Sequence, residues 1–361
     1  MRSAGDASEA SAGLACIVVP DPALQPTGNV SLRRRFLSPQ TVVSLAVLPV
    51  AVVLVVWRFD IAWSDTWEII RALDLRWYAA GFAAHYTTFI FRGARWRLLL
   101  QNASRKDGGP VPGTLYAARV ILLSWFANSV TWFRMGDAYR AYVYAEDSKS
   151  SFPRSMGSVL TDRLVDLAVV AFLMTLGVGV LLVGGQVRPP LFLVVIAAGL
   201  LAAIGAGLAG MVVARRWATP RLPRRVRDVY LRFHDGALSS FGRMHIVFAL
   251  GVAGWLCEAG RLLCVVMAVG TPIALGLVLF VPMANGLLSA LPLTPGGLGV
   301  VETGITGLLR LELAVEAAIA VALVDRTISY ISIVFVGGIV FVARQVGTAR
   351  RADAPPIGGN A

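Results

Sequence analysis

Two Asp–Arg dipeptides, Asp162–Arg163 and Asp325–Arg326, lie inside long apolar stretches, VLTDRLVD (159–166) and LVDRTISY (323–330). Charges at membrane depth are expensive and default to functional sites. Adjacent residues on a helix point about 100° apart, so neither dipeptide can neutralise itself and every member needs a partner elsewhere. Arginine suits bidentate phosphate binding. A carboxylate beside it either orients the guanidinium or receives a cationic group. The same chemistry is on offer between Asn128 and Arg140, where Arg134, Asp137 and Arg140 surround Gly136, and at Asp166. The structural alternative is bridging, with Arg326 paired to Glu302 or Arg163 paired to Asp137. Bridging and ligand contact are compatible.

The run PGGLGVVE (295–302) is the most specific local signal. Pro295 ends one apolar segment, and Gly296, Gly297 and Gly299 permit a tight turn with close backbone approach. A helix beginning there presents free amides and about half a positive charge, a ready phosphate site. Glu302 falls one turn into that helix and needs a cationic partner. Asn128 and Asn285 are read as caps of half-helices or as interhelical hydrogen-bonding residues. Glu258 and Arg261, spaced i,i+3, share a helix face and can satisfy each other.

These residues recur in order. FANS (126–129), RMGD (134–137) and VLTDRLVD form one copy, and MANG (283–286), LPLTPGGLGVVE (291–302) and LVDRTISY form the other. Each copy follows an arginine-bearing stretch, GARWRLL (93–99) or EAGRLLC (258–264). A repeated set of intramembrane charges predicts a transporter built from two related halves.

The elements that position them are membrane segments. Of 361 residues, 57% are hydrophobic and 15% charged, with a mean hydropathy of +0.70, far from a soluble domain. Apolar windows recur at 41–57, 77–91, 114–133, 155–183, 191–213, 246–269, 273–291 and 317–343. Basic clusters mark cytoplasmic loops: Arg33–Arg35, the run from Arg92 to Lys106, the loop 214–245, and Arg344 to Arg351. An odd number of apolar segments separates successive inside loops, so one segment in each half does not cross. The candidates are 114–133 and 273–310, read as re-entrant hairpins of opposite orientation, since broken backbone at membrane depth must face protein or a water-filled cavity. The expected fold is therefore all-α and polytopic, with about six full spans plus two re-entrant hairpins; eight plain spans is the alternative. Residues 41–345 form the transmembrane domain, with repeat halves at 77–213 and 246–343. Residues 1–40 and 346–361 are expected to be disordered cytoplasmic tails.

Other chemistries find little support. There is no Walker loop, dinucleotide fingerprint or zinc-protease pattern, so no cofactor is expected. His85, His234 and His245 are scattered without metal-ligand spacing, and Cys16, Cys257 and Cys264 make no CxxC. The net charge of +12 lies in juxtamembrane loops and points to lipid headgroups, not nucleic acid. Carboxylates at 137, 162, 166 and 302 would support intramembrane catalysis only if clustered, and nothing nominates a nucleophile.

GARWRLLL, the Asn128–Arg140 run, SVLTDRLVD, LPLTPGGLGVVE and the DR-x3-Y of Asp325 to Tyr330 resemble the lysylphosphatidylglycerol synthase transmembrane-region family, the flippase-like domain also seen in multiple peptide resistance factor. The likeness covers roughly residues 40–345. The family's proline after the first hairpin's asparagine is absent, with TWF at 131–133. The resemblance implies translocation of a lipid with a polar head across a bacterial inner membrane, and the basic clusters are expected to place both termini in the cytoplasm. No soluble synthase domain precedes Ala361, so lipid aminoacylation is not expected. On this reading Arg134, Arg163 and Arg326, with amides at Gly296–Gly299, coordinate the lipid phosphate, while Asp137, Asp162, Glu302 and Asp325 orient them or receive a cationic head. The expected partners are anionic phospholipid or polyprenyl-phosphate lipid, and the protein is a monomer or homodimer. The driving force is the lipid gradient, proton coupling through a carboxylate, or the membrane potential. The competing reading is a non-transporting scaffold for a lipid-linked glycosyltransferase or lipid synthase, its buried charges mutually paired.

Overall fold

The computed structural model describes residues 63–104, 111–131, 135–184, 191–218, 243–290 and 294–352, all within the compact unit Val50–Ala361. Arg134, the apolar window 41–57, both tails and most of the loop 214–245 fall outside the described residues. Among those described, the regular elements are helices: α1 Trp63–Arg71, α2 Leu75–Ser104, α3 Thr114–Val130, α4 Gly136–Ser148, α5 Phe152–Gly184, α6 Leu191–Ala218, α7 Met244–Val269, α8 Leu275–Leu288, α9 Val300–Leu309, α10 Val315–Arg326 and α11 Ser332–Ala352. A 3-10 turn at Pro295–Gly297 leads into α9, and a π turn at Thr327–Ile331 carries α10 into α11. Three described runs are long and apolar enough to cross a membrane: α5, α7 and the continuous Val315–Gly347. The architecture is all-helical and of membrane type.

One boundary departs from the sequence expectation. The charges from Arg92 onward were expected to begin a loop, yet α2 runs unbroken to Ser104. No glycine–proline breaker interrupts it, and its apolar stripe continues through the buried Trp96, Leu99 and Leu100. Arg92 and Arg95, one turn apart, stay on the buried face because aspartates of α5 receive them. Their charges therefore need no water.

The pairs α3–α4 and α8–α9 each fold back as two short helices in contact. In the first, the Gly136 amide donates to Asn128 Oδ1 at 2.8 Å, so Asn128 caps the N-terminus of α4. Gly136 lies so close to α3 that a Cβ there would sit 2.0 Å from the Ser124 carbonyl oxygen. In the second, Pro282 lies within α8, and the turn before α9 places Gly296, Gly297 and Gly299 at φ of 61°, 71° and 81°. That left-handed region is open to glycine and costly for other residues. The turn predicted from PGGLG is formed.

Glycines also set the long helix crossings. A Cβ at Gly177 would come 2.9 Å from the Gly276 carbonyl oxygen, bringing α5 and α8 nearly backbone to backbone. Gly93 plays the same part between α2 and α3, 2.8 Å from Thr114 O and Ala118 N by the same measure. Small residues at such crossings let membrane helices approach closely enough for dispersion to contribute to their association. Two tyrosines of α2 hold the π turn from outside: Tyr78 hydrogen-bonds Thr327 Oγ1 at 2.7 Å and Tyr86 donates to Ser332 Oγ at 3.0 Å.

Candidate functional site

The charges of the first repeat meet between α2, α4 and α5. Asp162, only 2% exposed, accepts from Arg95 Nε at 2.8 Å and from Arg140 Nη2 at 2.8 Å. One turn on, Asp166 accepts from Arg95 at 2.8 Å, Arg92 at 3.0 Å, Arg163 at 3.3 Å and the Trp255 indole N–H at 3.1 Å. Arg163 turns its other edge to Asp137 in a two-pronged pair at 2.9 and 2.5 Å. Arg140 is stacked over Trp96, 4.0 Å from the ring centroid, and is buried. Such saturation is what allows so many ions to stay out of water.

The second repeat builds a sparser set. Glu258 sits 3.2 Å from His85 Nδ1 and 3.1 Å from Arg261 Nε. Arg261 reaches on to Asp325. Arg326 donates to Glu302 at 2.6 Å and to the Gly296 carbonyl at 3.0 Å, and lies over the Tyr330 ring at 4.7 Å. The other oxygen of Glu302 accepts the Gly299 amide at 2.6 Å, so one carboxylate ties α10 to the start of α9.

Two contacts of the first set have counterparts in the second. Asp162 binds Arg95 as Asp325 binds Arg261, linking each DR helix to the arginine of its repeat's leading helix. Arg163 binds Asp137 as Arg326 binds Glu302, linking it to an acid in the first turn of its hairpin's second helix. Both bridges posed from the sequence, Arg163–Asp137 and Arg326–Glu302, are formed, as is the Glu258–Arg261 pair. Among the differences between the copies, Arg92 stands against Glu258 and Asp166 against Ser329, and Arg140 gives Asp162 a second arginine that Asp325 lacks among the described residues.

A cavity of about 460 Å³ opens between the sets, within the range of small-molecule sites. Arg92, Arg163, Arg261 and Arg326 line it with Asp166 and Glu258, alongside Asn128, Asn285, Gly286 and Gly296. Trp125 and Trp255 flank Arg92, with its guanidinium 5.2 and 4.7 Å from their ring centroids. Of the residues singled out in the sequence, Arg163, Arg326, Gly296, Asn128, Asn285, Asp166, Glu258 and Arg261 reach this wall. Asp137, Arg140, Asp162, Glu302, Asp325, Gly297 and Gly299 are not among its lining residues. Several of these stand behind it as partners of the lining arginines. The Gly297 and Gly299 amides are engaged within the turn, on Thr294 O and Glu302. Only the backbone of Pro295 is described, opening the turn.

Sequence reasoning did not single out Arg92, His85, Trp125 or Trp255 as site residues, and Tyr330 entered only through the DR-x3-Y likeness. Arg92 stood in a basic run that looked like an ordinary inside loop. Its i,i+3 spacing to Arg95, matching Glu258–Arg261, was the available signal. Among the described residues no group of three or more His, Cys, Asp or Glu is arranged to hold a metal ion.

Comparison with known proteins agrees with the architecture. A UPF0104 membrane protein of Methanothermobacter thermautotrophicus is 24% identical over 308 residues, covering 77% of this chain and 87% of the relative. A UPF0104 membrane protein of Methanocaldococcus jannaschii is 24% identical over 218 residues, covering 60% of this chain and 93% of the relative. The family described as the lysylphosphatidylglycerol synthase TM region matches residues 41–337. With membrane-length helices, a repeated charge network and a match over most of its length, the chain is an integral membrane protein of the lysylphosphatidylglycerol synthase TM-region family.

Proposed function

We propose that this protein translocates a phosphate-bearing lipid across its membrane, the head passing through the charged cavity while the acyl chains remain in the bilayer. The observation that carries the reading is the composition of the cavity wall: four arginines and two carboxylates inside a helical assembly of membrane type. Arg163 is the best placed phosphate ligand, being partly open, with a side-chain exposure of 28%. Arg326 presents the second, next to the Gly296 turn. The carboxylates behind the wall hold these guanidinium groups in place without closing the cavity, so the site is prepared before the lipid arrives. In this reading α3–α4 and α8–α9 are the two re-entrant hairpins, entering from opposite faces, and the protein lies in a bacterial inner membrane with both termini cytoplasmic.

A second reading, a non-transporting scaffold for a lipid-modifying enzyme, is favoured by one observation. Every lining arginine has a carboxylate partner within the chain. The test is flipping of fluorescent phosphatidylglycerol, phosphatidylethanolamine and a polyprenyl phosphate in proteoliposomes, for wild type, Arg163→Gln and Arg326→Gln. Headgroup-selective flipping that falls at least about tenfold in the folded variants, the loss of roughly 1.4 kcal/mol, supports transport. No flipping of any lipid by folded wild type overturns it in favour of the scaffold.

A further inference from the structure

His85 is the one histidine in the cavity wall. It is fully buried on α2, yet neither ring nitrogen finds a hydrogen-bond partner. Across from it, Glu258 Oε1 is also buried without a hydrogen-bond partner. These two orphaned atoms, His85 Nδ1 and Glu258 Oε1, are only 3.2 Å apart. An unsatisfied buried polar atom costs about 1–3 kcal/mol. The neutral Nδ1–H tautomer satisfies both atoms with one hydrogen bond to the carboxylate, and a second proton, on the equally orphaned Nε2, makes the ring cationic.

The charge balance gives that proton a purpose. Among the described residues, the buried network and its cavity-facing members comprise Arg92, Arg95, Arg140, Arg163, Arg261 and Arg326 against Asp137, Asp162, Asp166, Glu258, Glu302 and Asp325. Six cations face six carboxylates, so the set is neutral with a neutral imidazole. A phosphodiester head entering the cavity brings one uncompensated negative charge into a low-dielectric surrounding. Arginines are already protonated and cannot answer it. The carboxylates can answer only by giving up an arginine.

The titratable and charged groups facing the cavity around His85 are these: Arg92 on its own helix, Glu258 and Arg261 on α7, Arg163 and Asp166 on α5, and Arg326 and Tyr330 on the α10–α11 run. The lining residues from α3 and α8 include no titratable side chain; α3 instead sets the Trp125 ring 6.0 Å from the imidazole. Histidine is the side chain whose ordinary titration lies between pH 5 and 8.

We infer that His85, bridged to Glu258, is a proton-binding site whose occupancy rises when an anionic phosphate head occupies the cavity. Proton and lipid head then move as a neutral pair. The coupling rests on the transport reading above, whereas the proton site does not.

The test is NMR titration of ring-labelled histidine in the full-length protein, with His85 assigned by His85→Gln. Nanodiscs of phosphatidylcholine are compared with nanodiscs containing phosphatidylglycerol. The expected result is that, across pH 5 to 8, the fraction of His85 carrying two ring protons at a given pH is several-fold larger with phosphatidylglycerol than without it. Glu258→Gln, if folded, should move it down. A His85 signal that keeps one protonation state over that range overturns the proton site, whatever the lipid. A titrating His85 indifferent to phosphatidylglycerol overturns the coupling. Flipping of phosphatidylglycerol, measured in parallel, separates the two readings. Flipping driven by a pH gradient in wild type, with the gradient dependence lost in His85→Gln, supports the inference. Robust flipping indifferent to the gradient refutes it while leaving transport standing. Absent flipping refutes transport, and the titration still decides the proton site.

Discussion

Asp162 is held by two arginines from different helices, Arg95 of α2 and Arg140 of α4, and all three side chains are buried. Asp162→Asn keeps the shape and removes the charge, taking from buried Arg140 its carboxylate partner and leaving Arg95 with Asp166 alone. Breaking such a buried pair costs about 3–5 kcal/mol. Arg163→Gln should cost clearly less, because Arg163 and its partner Asp137 remain partly exposed and Asp166 keeps Arg92 and Arg95. Thermal unfolding in detergent, followed by intrinsic tryptophan fluorescence, should therefore rank Asp162→Asn well below Arg163→Gln. The reverse order would mean that the Asp162 cluster does not anchor the fold. The same contrast separates residues that hold the protein together from those available to a ligand. The sequence alone offered both roles for Asp162, Arg140 and Arg163; burial divides them.

At the scale of elements, close helix approach rests on particular glycines, and the two hairpins make this testable. Gly136→Ala would place a methyl 2.0 Å from the Ser124 carbonyl and against Asn128, so α4 must move off α3 and lose its cap. Gly307→Ala, inside α9 with nothing near its Cβ, should be neutral or slightly stabilising, since alanine is the better helix former by up to about 1 kcal/mol. Comparing yield and unfolding temperature of the two variants checks the α3–α4 packing; equal behaviour would rule it out. Much at this scale was legible beforehand. Gly136 and Asn128 stood out by spacing, and PGGLG predicted a turn that glycine's left-handed φ makes. The unbroken α2 was not legible, because a run of arginines reads as a loop until the aspartates that absorb them are seen. Nor was the π turn after Arg326, whose residues TISYI carry no breaker. Its trace is the hydroxyls that bond back to the chain, Thr327 to Val324 O at 2.6 Å and Ser332 to Ile328 O at 2.5 Å.

At the scale of the whole molecule, the question is which parts can move if the cavity serves both membrane faces. The leading helices of the two repeats, α2 and α7, share the most extensive helix–helix contact in the described chain. His85–Glu258 and the Thr88 hydroxyl on the Gly254 carbonyl at 2.9 Å join them as well. Separating them would break buried polar contacts and a long apolar seam together, so this pair is expected to be the fixed axis. Motion then falls to the hairpins, whose polar ties to the rest include Asp137 and Arg140 of α4 on α5, Glu302 between α9 and α10, and Tyr330, whose hydroxyl donates to the Ser129 carbonyl of α3 at 3.2 Å. A native cysteine allows the axis to be locked. A Cβ built at Gly81 of α2 lies 3.6 Å from the Cys264 Cβ of α7, inside the range a disulfide requires. The same Cβ would lie 3.1 Å from Ile328 Cδ1, the end of a side chain that can shift. Oxidised Gly81→Cys should therefore form an α2–α7 cross-link. Maleimide labelling of unfolded protein should count two free thiols, against the three cysteines of the natural sequence. If α2 and α7 form the axis, lipid flipping by the cross-linked protein stays within about twofold of the reduced form, a change of less than 0.5 kcal/mol. Loss of flipping on oxidation and its return on reduction would instead put the moving boundary between α2 and α7, and make the hairpins passengers of rocking halves.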